Sequence, residues 1–170
     1  QVLSSLPNEQ FACGRAEIIK YGMSCDAVLF DLLSETRGRT AITVETLKSI
    51  ISRCVEIKGS IVSRDEFDNG ERQLLNFGHT IGHAIEKVSD FKIGHGQAVA
   101  IGMVMMTDLS EKLGICQIGT KTRLIEVLKR FELPTAIDFS IKALSDAVIL
   151  DKKRRGDEIA LVVTEKIGTC

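Results

Sequence analysis

All three histidines of the chain lie between positions 79 and 95, a clustering that raises the hypothesis of a metal site. His79 and His83 are four residues apart, so on a helix both imidazoles project from one face. Such a pair is a common start for a metal site, which a carboxylate or a third histidine such as His95 can complete. The pair lacks the glutamate of the HExxH zinc-protease motif, and separate histidines with unrelated roles would give the same pattern. Spacing alone leaves both interpretations open.

Glycines surround these histidines, at Gly78, Gly82, Gly94, Gly96 and Gly102. A glycine inside a helix costs about 1 kcal/mol relative to alanine, so such a concentration needs a structural reason. Close approach of a ligand would supply one, and so would close approach of another helix. The pattern matches neither the GxGxxG fingerprint nor a P-loop, and no predicted strand precedes it.

Charged side chains near the histidines suggest what such a site could bind. Glu17 and Lys20 stand at i,i+3, a spacing that by itself is typical of a surface ion pair. Arg72 and Asn76 precede the histidines, and Lys58 lies within an apolar run. Residues 152–155 form a basic run. The basic run alone is typical of a solvated turn. A metal beside several cations would suit a small substrate that carries phosphate or carboxylate.

The composition is that of one folded domain and argues against nucleic-acid binding. The chain has 170 residues, of which 44% are hydrophobic and 26% charged, with two prolines. Lys plus Arg total 22 against 23 for Asp plus Glu, which lacks the basic excess of a nucleic-acid binder. Seven Phe, one Tyr and no Trp offer little for stacking on bases. We expect a small-molecule site.

Cysteine usage and hydropathy favour a cytoplasmic protein that does not bind membranes. Five cysteines without CxxC spacing favour reduced thiols over a disulfide framework. The longest uncharged apolar stretch, 93–107, contains His95 and Gln97 and is too short to span a bilayer. The first residues do not resemble a signal peptide, and without an initiator Met the chain reads as a piece of something longer.

Helical periodicity dominates the sequence and predicts a mainly α domain over residues 1–170. Only Ile159–Thr164 is typical of a strand, and a lone strand needs a partner from elsewhere. The pattern thus predicts at most one short strand, near the end. The predicted helices begin at Asn8 after Pro7 and run through Met23, then cover 27–33, 47–62, 72–88, 95–113, 121–131 (with Thr120 as a cap) and 140–150.

Four ordered motifs resemble the carboxy-terminal domain of 3-dehydroquinate synthases, and the similarity covers essentially the whole chain. They are Ala16-Glu-Ile-Ile-Lys-Tyr-Gly22; Arg72-Gln-Leu-Leu-Asn-Phe-Gly-His-Thr-Ile-Gly-His-Ala-Ile-Glu86; His95-Gly-Gln-Ala-Val-Ala-Ile-Gly-Met103; and Asp151-Lys-Lys followed by a glycine, an apolar run and Ile167-Gly168. The resemblance implies the helical domain of the dehydroquinate synthase-like, or glycerol dehydrogenase-like, fold. It also implies an NAD-binding α/β domain preceding this one, with the active site between the two.

The resemblance implies one divalent metal, normally zinc and alternatively cobalt. The glutamate and two histidines that bind it in the family fall on Glu17, His79 and His95. His83, which spacing alone would pair with His79, would instead lie near the substrate phosphate and help to manage protons.

The family's substrate contacts carry over to further positions of this chain. Residues that hold the carboxylate, hydroxyls and phosphate of the substrate match Lys20, Lys58, Arg72, Asn76 and Lys152, with Lys153 as the alternative if the register differs by one. The opening residues correspond to a stretch that touches the nicotinamide cofactor: Val2, Leu3, Ser4 and Ser5, the last where a threonine is usual.

The implied reaction is a lyase step of the shikimate pathway of aromatic amino acid biosynthesis. It converts 3-deoxy-D-arabino-heptulosonate 7-phosphate to 3-dehydroquinate and phosphate. NAD⁺ transiently oxidises a hydroxyl, phosphate is eliminated, the ketone is reduced again and an intramolecular aldol closes the carbocycle. A related sugar-phosphate cyclase or a metal-dependent polyol dehydrogenase is the alternative within the same fold.

Two departures from the family pattern set further expectations. Gln97 stands where glutamate is common, and we expect it to alter the surroundings of the metal without abolishing binding. The NAD-binding domain is absent from this chain, so we expect the fragment alone to be inactive. A homodimer is a further expectation, based on the face that would otherwise meet the missing domain.

Overall fold

A computed structural model describes residues 5–36, 42–67, 70–155 and 160–170, with side chains described except at 8, 9 and 151–155. The predicted mainly α fold class is confirmed. The helices are α1 (Asn8–Ser24), α2 (Ala27–Glu35), α3 (Val44–Arg64), a 3₁₀ helix (Glu71–Asn76), α4 (His79–Val88), α5 (His95–Lys112), α6 (Thr120–Arg130) and α7 (Ile141–Arg155).

α5 is the central helix, because apolar and small residues occur all round it rather than on one face. Its buried residues run from Gly96 to Ser110, and α1, α4 and α6 pack against it. The main core joins these helices with α2 and includes Ile19, Phe30 and Phe77. α7 packs on α4, and together with α5 they bury a second, smaller apolar cluster around Leu144.

The sequence left two explanations for the glycines near the histidines, close approach of a ligand or of another helix. Close packing of helices explains Gly96 and Gly102. A Cβ atom placed on Gly102 of α5 would lie 2.1 Å from the backbone oxygen of Gly78, just before α4. One on Gly96 would lie 2.4 Å from the Cα of Cys13 in α1. The glycines therefore let α4 and α1 approach α5 at backbone contact distance, which fixes where the starts of α4 and α5 lie.

The single helix predicted over 72–88 is wrong. Residues 71–76 form a 3₁₀ helix, and the chain then turns at Phe77 and Gly78 before α4 begins at His79. Gly78 has a φ of 77°, a left-handed conformation that interrupts a right-handed helix and that glycine adopts without strain. His79 is therefore the first residue of α4, with His83 one turn later.

Other boundaries shift less. α3 begins at Val44, where Thr43 accepts a hydrogen bond from the N–H of Thr46. Gly119, not Thr120, precedes the first residue of α6. α7 continues to Arg155, so the backbone of the basic run 152–155 is helical and not the turn that its charge suggested.

The predicted strand at Ile159–Thr164 is also wrong as far as the described residues go. Residue 159 lies outside them, and 160–164 form no strand; the described tail contains a single bridge, between Lys166 and Thr169. The tail instead uses its backbone groups against helices. The N–H of Gly168 donates to the carbonyl of Met23 at 2.8 Å.

Within the described segments, no helix has the length and apolar character needed to cross a membrane.

Candidate metal centre

Three packed helices bring Glu17, His79 and His95 to one point. Glu17 lies within α1, whereas the two histidines are the first residues of α4 and α5. One potential ligand atom from each residue lies within 4.8 Å of the others. The imidazole centroids of His79 and His95 are 5.3 Å apart. The arrangement can hold one cation between two imidazoles and a carboxylate, a donor set found in catalytic zinc sites.

The carboxylate of Glu17 suits such an ion because one of its two oxygens has no hydrogen-bond partner. Its Oε2 accepts a hydrogen bond of 2.7 Å from the ammonium of Lys20. Its Oε1 is buried and has no hydrogen-bond partner, and the Nε2 of His79 lies 3.5 Å away. A buried carboxylate oxygen without a partner is costly, and a cation at this point would satisfy it.

The Nε2 of His79 is available to bind a metal ion. Its Nδ1 lies 3.2 Å from the carbonyl oxygen of Phe77, an acceptor that favours the proton on Nδ1 and leaves the Nε2 lone pair free. Burial and then the ammonium of Lys20 lower the pKa of His79 to about 4, against the opposing effect of Glu17. The imidazole is therefore neutral near pH 7, the form in which histidine binds metals.

A second group of potential ligands shares His95. Ligand atoms of His83, Glu86 and His95 also lie within 4.8 Å of one another, and the Nδ1 of His95 is 3.2 Å from Oε1 of Glu86. The ring of His83 is centred 5.7 Å from that of His79. His83 thus borders the cluster, as its position in α4 predicts. Sequence reasoning did not assign Glu86 a role, although its i,i+3 spacing from His83 was a usable signal.

The other predicted substrate residues lie in different settings. Lys20 is buried and bonded to Glu17, so it belongs to the cluster. Arg72 donates from Nη1 to the carbonyl of Glu66 at 2.6 Å, which ties its guanidinium to the loop before the 3₁₀ helix. Lys58 in α3 and Asn76 at the end of the 3₁₀ helix are exposed. Among the described interactions, none joins these last three residues to the metal-binding atoms.

Several predicted contacts cannot be placed. Val2, Leu3 and Ser4 lie outside the described residues, and Ser5 is exposed just before α1. Lys152 belongs to α7, but its side chain lies outside the described part, as does that of Lys153. Their roles stay predictions.

Gln97 acts on the start of α5. Its Oε1 accepts a hydrogen bond of 3.3 Å from the N–H of Gly94, the residue before the helix. The amide therefore caps the helix on which His95 is the first residue. A glutamate could accept the same bond, so this contact needs no charge.

A protein-family model described as 3-dehydroquinate synthase C-terminal matches residues 14–154. Curated relatives named 3-dehydroquinate synthase include one from Clostridium kluyveri, 40% identical over 99% of this chain and 47% of the relative. The relative from Pelobacter propionicus is 38% identical over 100% of this chain and 48% of its own length. That from Streptococcus sanguinis is 41% identical over 99% and 48%. The chain therefore spans about half the length of the curated relatives it matches.

Solved structures share the fold. A 2-epi-5-epi-valiolone synthase from Streptomyces hygroscopicus subsp. jinggangensis, with NAD⁺ and Zn²⁺ bound, superposes with a TM-score of 0.86 at 23% identity, over 98% of this chain and 48% of that one. A 2-deoxy-scyllo-inosose synthase with carbaglucose-6-phosphate, NAD⁺ and Co²⁺ gives 0.83 at 21% identity, over 98% and 47%. At this identity the likeness concerns the fold.

Proposed function

The chain belongs to the 3-dehydroquinate synthase family, in which it corresponds to the carboxy-terminal domain, and from that premise we propose that it forms the metal- and substrate-binding half of such an enzyme. The complete enzyme would convert 3-deoxy-D-arabino-heptulosonate 7-phosphate to 3-dehydroquinate and phosphate. The identity of about 40% to 3-dehydroquinate synthases, against 23% and 21% to the two cyclases of other carbocycles, favours this reaction.

The observation that carries the proposal is the three-donor cluster of Glu17, His79 and His95, in which Oε1 of Glu17 is buried without a hydrogen-bond partner. These residues would hold one zinc ion, or cobalt in its place. When bound, the metal supplies a Lewis acid for the substrate hydroxyl that is oxidised, and NAD supplies the hydride acceptor. The cofactor would be held mainly by the remainder of a longer protein, with residues 2–5 of this chain touching it.

The chain's own residues would bind and orient the substrate and manage its protons. The ammonium of Lys20 donates to the Glu17 carboxylate and would keep a positive charge beside the substrate. His83, at the border of the cluster, would hold or donate a proton at the substrate phosphate.

The remaining cationic and amide residues would neutralise the carboxylate and the leaving phosphate. Arg72 uses Nη1 for the carbonyl of Glu66, and its other N–H groups would contact a substrate oxygen. We assign the same substrate-binding role to Lys58, Asn76 and Lys152.

The proposal includes a cytoplasmic location. All five cysteines are free, which fits a reducing compartment.

The test has a binding arm and an activity arm. Zinc titration by calorimetry should give one site per chain in the wild type and none in His79→Ala or Glu17→Gln. Glu126→Gln on α6 is the matched control, because it removes an exposed carboxylate of the same type and should leave binding intact. No binding in the wild type would contradict the metal assignment.

For activity, the chain is joined to the amino-terminal half of the Clostridium kluyveri relative and assayed for NAD⁺-dependent phosphate release. We expect release from 3-deoxy-D-arabino-heptulosonate 7-phosphate. Zinc binding with turnover of only a different sugar phosphate would replace the proposed substrate by that of a related cyclase.

A further inference from the structure

The two ligand groups that share His95 compete for one imidazole. In one group His95 joins Glu17 and His79; in the other it joins His83 and Glu86. A histidine that uses one ring nitrogen for a metal almost always donates from the other, commonly to a carboxylate. The position of the proton on His95 therefore decides which of its nitrogens faces an ion.

We propose that Glu86 is a positioning residue that holds the proton of His95 on Nδ1 and thereby directs Nε2 of His95 to an ion bound with Glu17 and His79. The inference rests on the metal site of the proposed function and assigns Glu86 a task within it. Glu86 acts through His95 and is not itself a ligand.

The contacts favour this arrangement over a metal between His83, Glu86 and His95. The Oε1 of Glu86 already lies 3.2 Å from Nδ1 of His95, at hydrogen-bond distance, so donor and acceptor satisfy each other without an ion. The Oε1 of Glu17, by contrast, is buried without a partner. The atom that lacks a partner marks where the cation belongs.

In this arrangement, a different hydrogen-bond acceptor fixes the tautomer of each histidine in the proposed site. His79 uses the carbonyl of Phe77, which lies two residues earlier in the turn before α4. His95 is the first residue of α5 and is considerably more exposed than His79, with 40% against 14% of its side chain accessible. Because packing confines His95 less, a carboxylate from the neighbouring helix is the contact that orients its ring.

The first test reads the tautomer directly in the metal-free chain, by long-range ¹H–¹⁵N NMR well above the ordinary histidine pKa of about 6.5. We expect His95 to carry its proton on Nδ1 in the wild type. Glu86→Gln should weaken this preference, because its amide can either accept from Nδ1–H or donate to Nδ1, whereas Glu86→Ala should shift His95 to a mixture. An Nε2-protonated His95 in the wild type, or a tautomer unchanged in Glu86→Ala, would overturn the proposal.

The second test measures zinc affinity by chelator competition, with Glu126→Gln as the matched control. We expect affinity to fall about tenfold in Glu86→Gln and up to about a hundredfold in Glu86→Ala, the range known for residues that support metal-bound histidines. His83→Gln should keep zinc affinity within about twofold. Loss of zinc in His83→Gln with binding retained in Glu17→Gln would show that the other group holds the ion.

The two tests separate this inference from the proposed function. Absence of zinc binding in the wild type contradicts the metal site, whereas the tautomer of His95 and its response to Glu86 are read without metal. Circular dichroism melts of the variants identify any that fail to fold, and Glu86→Gln, which conserves shape, keeps the affinity comparison decisive if Glu86→Ala does not fold.

Discussion

The unusual feature at the level of single residues is a neutral histidine beside a buried ammonium. Burial, followed by the charge of Lys20, lowers the pKa of His79 to about 4, although Glu17 opposes the shift. The folded pKa lies below the unfolded value of about 6.5. His79 therefore contributes stability at pH above 6.5, and this contribution is lost as the pH falls towards 4.

We predict that Lys20→Met raises the pKa of His79 in the metal-free chain. Removing the ammonium removes a repulsion and also leaves the Glu17 carboxylate free to attract the imidazolium, so both effects act upwards. Histidine NMR titration measures this directly, and the free energy of unfolding should depend less steeply on pH between 4 and 6.5. A pKa for His79 that is unchanged in the variant would contradict this electrostatic account.

At the level of helices, the separation of α4 and α5 is set by a glycine contact. We predict that Gly102→Ala destabilises the chain by more than about 3 kcal/mol, since its Cβ would lie 2.1 Å from the Gly78 oxygen and the helices must move apart. Urea denaturation measures the loss.

Gly59→Ala is the matched control for that substitution. Gly59 lies on exposed α3, and a Cβ there would meet nothing within 4 Å. The change should stabilise the chain by about 0.5–1 kcal/mol through helix propensity. Equal effects of the two substitutions would refute the close-packing explanation of Gly102.

A second prediction at this level concerns Asp26, the residue before α2, whose side chain contacts both α2 and α3. Its carboxylate accepts a 3.0 Å bond from the N–H of Leu29 at the start of α2 and pairs with Arg53 of α3. Burial alone would raise the pKa of Asp26, but these two partners outweigh it and lower the pKa. Its stabilising effect is therefore present above the unfolded pKa and is lost on acidification through the lower folded value.

We expect Asp26→Ala to cost about 1–2 kcal/mol near pH 7 and much less in acid. Chemical denaturation at a series of pH values gives both quantities. Asp146→Ala is the comparison, because that carboxylate pairs with Lys142 on the surface of α7 and should matter little. A loss at Asp26 that does not depend on pH would contradict the account.

Periodicity and motifs carried most of the information in the sequence. The amphipathic pattern located most of the helices, and the family motifs named three residues whose side chains the fold brings together, while their role as metal ligands stays a prediction. The break at Gly78 was missed because its left-handed turn depends on contact with α5, which a local pattern does not contain. The apolar run before Thr164 was mistaken for a strand because Val162 and Val163 pack on the core, where the described part of the chain supplies no strand to pair with them.

At the scale of the whole molecule, the candidate site connects three helices that are far apart in sequence. Glu17, His79 and His95 come from α1, α4 and α5, so an ion bound by all three would stabilise their packing. At a free zinc concentration about 100 times Kd, the gain is about 2.7 kcal/mol. For a domain of this size, that corresponds to a rise in Tm on the order of 5–10 °C.

We therefore predict a zinc-dependent rise in Tm for the wild type that is absent in His95→Ala. Differential scanning calorimetry with and without zinc checks it, and magnesium, which prefers all-oxygen ligands, should have little effect. An equal rise in both proteins would mean that zinc binds elsewhere on the chain.

The start of two helices at one point has an electrostatic consequence. His79 and His95 open α4 and α5, so the positive ends of two macrodipoles converge there, each equivalent to about half an elementary charge. Their sum roughly balances the carboxylate of Glu17. A divalent ion held by Glu17, His79 and His95 would make the surroundings positive, a field that attracts anionic ligands and gives no such advantage to neutral ones.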